Sequence, residues 1–282
     1  MSIYIHGTDD DEQRRLSLMN DVLLNSAMLR EMNLRGDERI LDLGCGLGQF
    51  TRMMARAVPK GHVVGIEYNE EQLAAAKRLA ANDGEASLAD LRAGDALNLN
   101  LDDESDDEWG TFDVAHTRFL LEHIPDPLRA VKSMVRAVKP GGRIVLADDD
   151  HGVLRLWPEP PGWMSLWDAY MRAYEGIGND PLVGRRLVQL LHEAGAQPVR
   201  NTWVFFGGCA GMETFPILAA NMAGVVRTAR DTIVSQHLFD AGDFDRVMAD
   251  YRIWSERPDA ALWFSVAWAE GVKLSSRAAE GA

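Results

Sequence analysis

Asp42-Leu43-Gly44-Cys45-Gly46-Leu47-Gly48-Gln49 is the stretch on which the reading of the fold turns. It continues the apolar run Arg39-Ile40-Leu41-Asp42-Leu43, a buried strand by its pattern, and it opens a helix over 49–58. Glycines at such a junction let the backbone turn sharply and approach a ligand closely. The helix N-terminus then offers unpaired N–H groups and a positive dipole end to a carboxylate or phosphate. The spacing is not that of a dinucleotide site: in Gly-x-Gly-x-x-Gly the third glycine would fall where Gln49 stands, and Gly48 comes one residue early. Asp42 also places an acid where it would repel a pyrophosphate. The turn suits a ligand with a cation beside its carboxylate, as in an amino acid.

Outward from this turn, apolar runs alternate with helical periodicity. Strands are predicted over 39–43, 62–67, 89–94, 112–116 and 143–148, with helices over 49–58, 70–82 and 127–138. Crossovers of this length imply a parallel, doubly wound α/β sheet. Lys139-Pro140-Gly141-Gly142 reads as the stop before the fifth strand. Upstream, Leu16, Met19, Val22, Leu23 and Ala27 recur at helical spacing, which predicts a covering helix over about 9–32. Downstream the pattern loosens, and seven of the eight Trp lie beyond residue 150. A helix over 182–194 and strands over 198–206 and 260–268 complete the set, and about fifty residues of helical character, 209–257, separate the last two strands. A structureless loop of that size is uncommon, so the segment reads as a helical insertion.

Composition narrows the function classes. The 282 residues are 46% apolar and 26% charged, as in a folded globular chain. With 29 basic and 43 acidic side chains the net charge is −14, which disfavours nucleic acid as a partner. The longest nearly apolar run, 215–226, is too short to span a bilayer. Two cysteines and no secretory pattern read as a reduced, cytoplasmic protein. Six of the seven residues 102–108 are acidic, the mark of a solvated loop.

Acids at the ends of successive strands point to one ligand. Glu67, 23 residues after Gly44, can accept hydrogen bonds from two ribose hydroxyls. Tyr68 can lie on a purine face, and Gly94-Asp95-Ala96 can receive an adenine amino group on Asp95. Singly, Glu67 reads equally as a surface acid and Asp95 as a turn cap. Together with the glycine turn they mark the carboxyl ends of consecutive strands, where open α/β sheets bind ligands.

With these residues the sequence resembles the class I S-adenosylmethionine-dependent methyltransferases over 39–151. Phe112-Asp113-Val114, Leu121-Glu122-His123-Ile124-Pro125-Asp126-Pro127, Lys139-Pro140-Gly141-Gly142 and Asp180-Pro181-Leu182-Val183-Gly184-Arg185-Arg186-Leu187 are similar to the small-molecule branch typified by ubiquinone and menaquinone biosynthesis methyltransferases. The resemblance implies a Rossmann-like, seven-stranded, mostly parallel sheet with its last strand antiparallel, and S-adenosyl-L-methionine as cofactor. It assigns Asp42, Gly44, Gly46 and Gly48 to the methionine part, Glu67 and Tyr68 to the nucleoside, and Asp95 and Ala96 to adenine, with Arg118 also on the cofactor side. The chain then divides into a helical cover (1–35), a methyltransferase core (36–208), an insertion serving as lid or interface (209–258), and the last core strand with its tail (259–282). The insertion departs from the branch and leaves the acceptor open.

A sulfonium methyl is intrinsically electrophilic, so holding a nucleophile in line with it supplies much of the acceleration. A base is needed only when the acceptor arrives protonated. His151 is the first candidate, with Asp149 beside it in Asp148-Asp149-Asp150-His151; a plain loop histidine is the competing reading. His123 reads as ordering its turn, and Tyr4 and His6 as residues that fold over the cofactor or lie in an unstructured terminus. Alternation along a strand lets at most two residues of the 148–151 run face one ion, so no metal is assigned. The expected acceptor is a small apolar or aromatic molecule. A homodimer through the apolar face of the insertion competes with a roof built over the site, using Trp163, Trp167, Tyr170 and Tyr174. The alternatives to a small-molecule methyltransferase are a protein or RNA methyltransferase, a cofactor-binding partner without catalysis, and an NAD-dependent oxidoreductase.

Overall fold

The computed structural model describes residues 24–99 and 108–275. Tyr4, His6, the first part of the predicted N-terminal helix, residues 102–107 of the acidic run and the end of the tail lie outside the described residues.

In chain order the elements are α1 (Asn25–Met32), β1 (Arg39–Leu43), α2 (Gln49–Ala57), β2 (His62–Glu67), α3 (Glu70–Asn82), β3 (Asp90–Ala93), β4 (Phe112–Arg118), α4 (Pro127–Ala137), β5 (Val138–Asp149), β6 (Arg155–Trp157), α5 (Trp163–Gly176), α6 (Leu187–Glu193), β7 (Ala196–Phe205), β8 (Gly208–Cys209), α7 (Phe215–Thr228), α8 (Arg230–Ser235), α9 (Ala241–Ser255), β9 (Ala261–Trp263) and β10 (Ser265–Lys273). Seven strands form one sheet in the order β3-β2-β1-β4-β5-β10-β7. β1 through β5 are mutually parallel, and β10 runs antiparallel to both β5 and β7. This is the doubly wound, Rossmann-like sheet of the sequence reading. Its order reverses between β1 and β4, so the glycine turn after β1 lies at the switch point where such sheets open a crevice.

The central strands are apolar on both faces because both faces are covered. On one side Leu41, Leu43, Val64, Phe112, Ile144 and Leu146 pack with α4 and α6 residues such as Val131 and Leu191. On the other, Ile40, Val63, Val114 and Val145 share a core with Met28 of α1, Trp167 of α5 and Met222 of α7. The helix starts are encoded locally. Asn69 accepts from the backbone N–H of Glu71 and Gln72 to cap α3, and Asp126 accepts from Arg129 N–H with Pro127 opening α4.

Three local expectations need correction. Lys139-Pro140-Gly141-Gly142 does not precede the fifth strand but bulges out within it: Phe112 pairs with Val138 and Val114 already with Arg143. Gly141 takes the positive φ of 79° that this excursion requires. The predicted last strand, 260–268, is two strands. Its first part, β9, leaves the main sheet to pair with β6 and β8 in a separate three-stranded sheet, and β10 then runs on to Lys273. The acidic run is not wholly solvated, because Glu108 accepts hydrogen bonds from Arg39 and Arg92.

Between β7 and β10 lie α7, α8 and α9. Phe215, Leu218, Met222, Val226, Ile233 and Phe244 are buried in the same core as Trp163, Trp167, Tyr170 and Tyr174 of α5. Trp163 stacks on Tyr251 of α9 with ring centroids 3.9 Å apart. The apolar face of this segment is therefore covered from within the chain. Among the described residues no helix is long and apolar enough to cross a membrane.

Candidate active site

The glycine turn hangs from β2: the N–H groups of Gly44 and Cys45 both donate to the carbonyl of Ile66, at 2.8 and 3.0 Å. Gly44, Gly46 and Gly48 all have positive φ, between 54° and 75°, where a side chain would be strained. At Gly44 a Cβ would also stand 3.0 Å from Leu120. Gly48 N-caps α2 with no side-chain hydrogen bond, and the positive end of that helix points where an anion is stabilised.

Glu67 faces this turn. Its Oε2 accepts from Gly46 N–H at 2.9 Å and its Oε1 from Asn69 N–H at 2.8 Å. Burial holds its carboxyl above the ordinary range and Asp42 adds to this, against the pull of the Asn69 and Gly46 N–H groups. Each oxygen keeps one further lone pair for a ribose hydroxyl. Tyr68 beside it is 65% exposed, with a face available for stacking. Asp95 accepts from Leu97 N–H through Oδ1, so it does cap a turn; Ala96 is buried beside it.

Asp42 and Arg118 sit differently from the rest of the set. Asp42 is buried, with Oδ2 accepting from the Thr51 hydroxyl at 2.6 Å and Oδ1 2.8 Å from His116 Nδ1. As placed it braces β1 against α2 and β4. Arg118 lies over the Phe50 ring and donates to Asn25 of α1.

The third part of the site is a buried polar cluster at the ends of β4 and β5. β4 is followed by Phe119, a non-glycine residue at φ 52°, the kind of backbone strain that collects at functional sites. It leads into the tight turn Leu121–His123. Alternation then sorts the 148–151 run. Asp148 accepts from the N–H groups of Leu121 and Asp149. Asp150 accepts from Gly152 N–H and from Arg185. Asp149 and His151 face the other way, toward Glu122: His151 Nε2 is 3.1 Å from Glu122 Oε2 and 3.9 Å from Asp149 Oδ2. Trp167, Tyr170 and Tyr174 surround the imidazole with ring centroids 5.5 to 5.6 Å away, and Trp167 Nε1–H donates to the His151 carbonyl. This environment disfavours charge. Burial pushes Glu122 up to about 8, with Asp180 adding and the Tyr174 hydroxyl opposing. Asp149 is raised by burial and then by Glu122, while burial lowers His151 against the pull of Asp149 and Asp150. His123, 2.9 Å from the Tyr174 hydroxyl, falls to about 3 through burial and the neighbouring His151.

Sequence reasoning named His151 and Asp149 but missed Glu122. Its signal was an acid inside the apolar run Phe119-Leu120-Leu121-Glu122. It also left α5 unassigned, although Trp163, Leu166, Trp167, Tyr170 and Tyr174 stand at helical spacing.

A glycine cradle at a helix N-terminus, a buried acid facing that cradle and an exposed aromatic ring beside it fit S-adenosylmethionine. The site's architecture is that of the class I S-adenosylmethionine-dependent methyltransferases. The methyltransferase-domain family model matches residues 11–201, and the chain belongs to that family. The demethylmenaquinone methyltransferase of Bacillus subtilis is 31% identical over 176 residues, 60% of this chain and 70% of that one. An uncharacterized 37.1 kDa protein of transposon TN4556 from Streptomyces fradiae is 33% identical over 173 residues, 60% of this chain. This chain spans about half the length of that relative, 46%. Among solved structures the cyclase SpnF shares the fold, with a TM-score of 0.54 at 21% identity, over 89% of this chain and 81% of that one.

Proposed function

We propose that the protein transfers a methyl group from S-adenosylmethionine to a small organic acceptor, apolar or aromatic in its bulk, held between the Glu122–His151 wall and the aromatic roof of α5. The observation that carries this reading is the convergence of the glycine turn, Glu67 and the buried Glu122, Asp149 and His151 cluster at one end of the sheet. The bound cofactor supplies an electrophilic carbon: a bond forms from the acceptor's nucleophilic atom to the methyl as the carbon–sulfur bond breaks, its electron pair staying on sulfur to leave S-adenosylhomocysteine. The α2 N-terminus holds the amino-acid end, Glu67 the ribose, Tyr68 and Asp95 the adenine. His151 and Asp149 handle the proton or charge that leaves the acceptor, in a pocket where Trp167, Tyr170 and Tyr174 exclude water. The name of the Bacillus relative makes quinol-type rings the first acceptors to assay; the methylated atom, O, N, S or C, is read from the product.

A fold alone does not fix a reaction, and a neighbour named as a cyclase has this one. Calorimetric titration of the full chain with S-adenosylmethionine and with NAD tests the cofactor. Formation of S-adenosylhomocysteine on adding quinol-type and other hydroxylated aromatics tests transfer. Binding of NAD in place of S-adenosylmethionine overturns the reading. Tight cofactor binding with no transfer to any acceptor in a cell extract favours a partner protein without catalysis.

A further inference from the structure

We propose that Glu122, Asp149 and His151 form the protein's side of a binding site for one divalent cation that accepts mixed imidazole and carboxylate ligation, such as Mn2+ or Zn2+, with the open face of the ion turned to oxygen donors of the acceptor. One ligand atom from each residue lies within 4.8 Å of the other two. Two ligands at right angles on an ion, each about 2.1 Å from it, stand about 3.0 Å apart, and two opposed ligands about 4.2 Å. The separation of His151 Nε2 from Glu122 Oε2 is 3.1 Å and from Asp149 Oδ2 is 3.9 Å. Both fall in that interval, and the third pair, Glu122 to Asp149, lies within 4.8 Å.

A hydrogen-bonded Glu122–His151 pair by itself would explain only part of what is buried here. Asp149 Oδ1 is inaccessible to solvent and has no hydrogen-bond donor, a costly state for a carboxylate oxygen that ligation would relieve. Among the described residues no Lys or Arg pairs with Glu122, Asp148 or Asp149, whereas Asp150 has Arg185. Two carboxyl groups, Glu122 and Asp149, thus face one imidazole with no Lys or Arg among the described residues to balance them. The cluster also draws its donors from two chain segments: the 148–151 run gives the two residues that alternation allows, and the turn after β4 gives the third. Asp148, held by the N–H groups of Leu121 and Asp149, fixes the carboxylate end from behind. His151 is clamped by its aromatic neighbours and by Trp167. Three protein ligands on one side leave positions open, as in sites that bind substrate rather than only hold structure.

The link to the acceptor rests on the methyl-transfer reading and narrows it to molecules with a hydroxyl beside a second oxygen donor, whose ionisation the cation then promotes in place of His151 as a base, the proton passing to solvent; the cation site itself does not rest on it. The test is a Mn2+ titration of the metal-stripped full chain, followed by the paramagnetic resonance of free Mn2+, with S-adenosylmethionine affinity measured in parallel. One equivalent should bind. Glu122→Gln and Asp149→Asn should each weaken it at least tenfold, and Glu71→Gln, on the exposed start of α3, should leave it unchanged. Echo-modulation spectra of the bound Mn2+ should show a coupled imidazole nitrogen that His151→Ala removes; a surface acidic patch would give none. Absence of a stoichiometric site for Mn2+ and Zn2+ in a chain that binds S-adenosylmethionine overturns the cation site and leaves the methyltransferase reading standing. Equal weakening by Glu71→Gln, or bound Mn2+ without nitrogen coupling, overturns it too. Stoichiometric Mn2+ with no affinity for S-adenosylmethionine supports the site and removes only its link to methyl transfer.

Discussion

Replacing Glu67 by Ala acts on two levels, because the carboxylate both faces the cofactor position and ties the glycine turn. It accepts backbone N–H groups from Gly46 and Asn69 at 2.9 and 2.8 Å. Hydrogen bonds to a charged acceptor contribute about 1.5 to 3 kcal/mol each, but burial already holds this carboxyl above its ordinary range, which offsets part of that gain. The net loss of fold stability should therefore be about 1 kcal/mol, seen as a fall of about 2 to 4 °C in melting temperature for a chain of this size. Cofactor affinity should fall further. Two ribose hydroxyls lose a common acceptor, and the N–H of Gly46 is released into the cradle, so the S-adenosylmethionine Kd should rise about tenfold to a hundredfold, or 1.4 to 2.8 kcal/mol. Glu67→Gln shows whether the two acceptor oxygens, rather than the bulk of the side chain, carry both effects. An amide keeps the shape but presents only one acceptor oxygen, so one of the two N–H groups meets another donor. Its melting temperature should drop as far as that of Glu67→Ala or further, with a comparable loss of affinity. Calorimetric titration checks the binding and differential scanning calorimetry the stability. A Kd unchanged in Glu67→Ala, with the variant folded, would refute the placement of the ribose at β2.

Gly44→Val should abolish measurable S-adenosylmethionine binding in titration and cost at least about 2 kcal/mol of stability, since φ is 75° and a Cβ meets Leu120 at 3.0 Å. Tyr251→Phe removes a buried hydrogen bond to the Ala219 carbonyl of 3.0 Å between α9 and α7; denaturant unfolding should show a loss of about 1 kcal/mol with cofactor affinity unchanged. Glu270 of β10 ties together the last strands, β5, β10 and β7: although burial raises its carboxyl, Trp268, Arg200 and Arg143 outweigh it and hold the group below 4.5. A lowered carboxyl stabilises the fold fully above its unfolded value and loses that contribution as pH falls through the folded value. Glu270→Gln should thus be less stable than the native chain by a constant margin from pH 7 to about pH 5, and the gap should close below about pH 4.5. A margin that persists into strong acid would show that the ion network does not hold the last strands.

The sheet was legible because its determinants are local. Each of β1, β2 and β4 is a short apolar run, α3 and α4 have their own caps in Asn69 and Asp126, and the glycine turn carries its backbone geometry in its composition. The misreadings fall where a tertiary partner decides. Nothing between Ala260 and Trp268 marks Phe264 as the point where the chain leaves one sheet for another; that depends on β6 and β8, which are remote in sequence. Lys139-Pro140-Gly141-Gly142 reads as a stop whether it precedes a strand or bulges from one, and pairing with β4 makes the difference.

The cofactor side and the acceptor side of the site differ in the same way, and the difference bears on what each can encode. The glycine turn, Glu67 and Asp95 stand at successive strand ends, each followed by its own short connection, so a chain that forms the sheet has formed the proposed cradle. The proposed acceptor wall is assembled from the turn after β4, the end of β5, one face of α5 and Phe264, whose ring centroid lies 6.3 Å from that of His151. Glu122 is an ordinary acid until β5 places Asp149 and His151 opposite it, and His151 is an ordinary loop histidine until α5 closes three aromatic rings around it. A change in the insertion can therefore move α5 and reshape the acceptor pocket without touching Glu67 or the glycine turn. On the proposed reading, cofactor choice rests on the sheet, whereas acceptor choice rests on packing between segments more than a hundred residues apart.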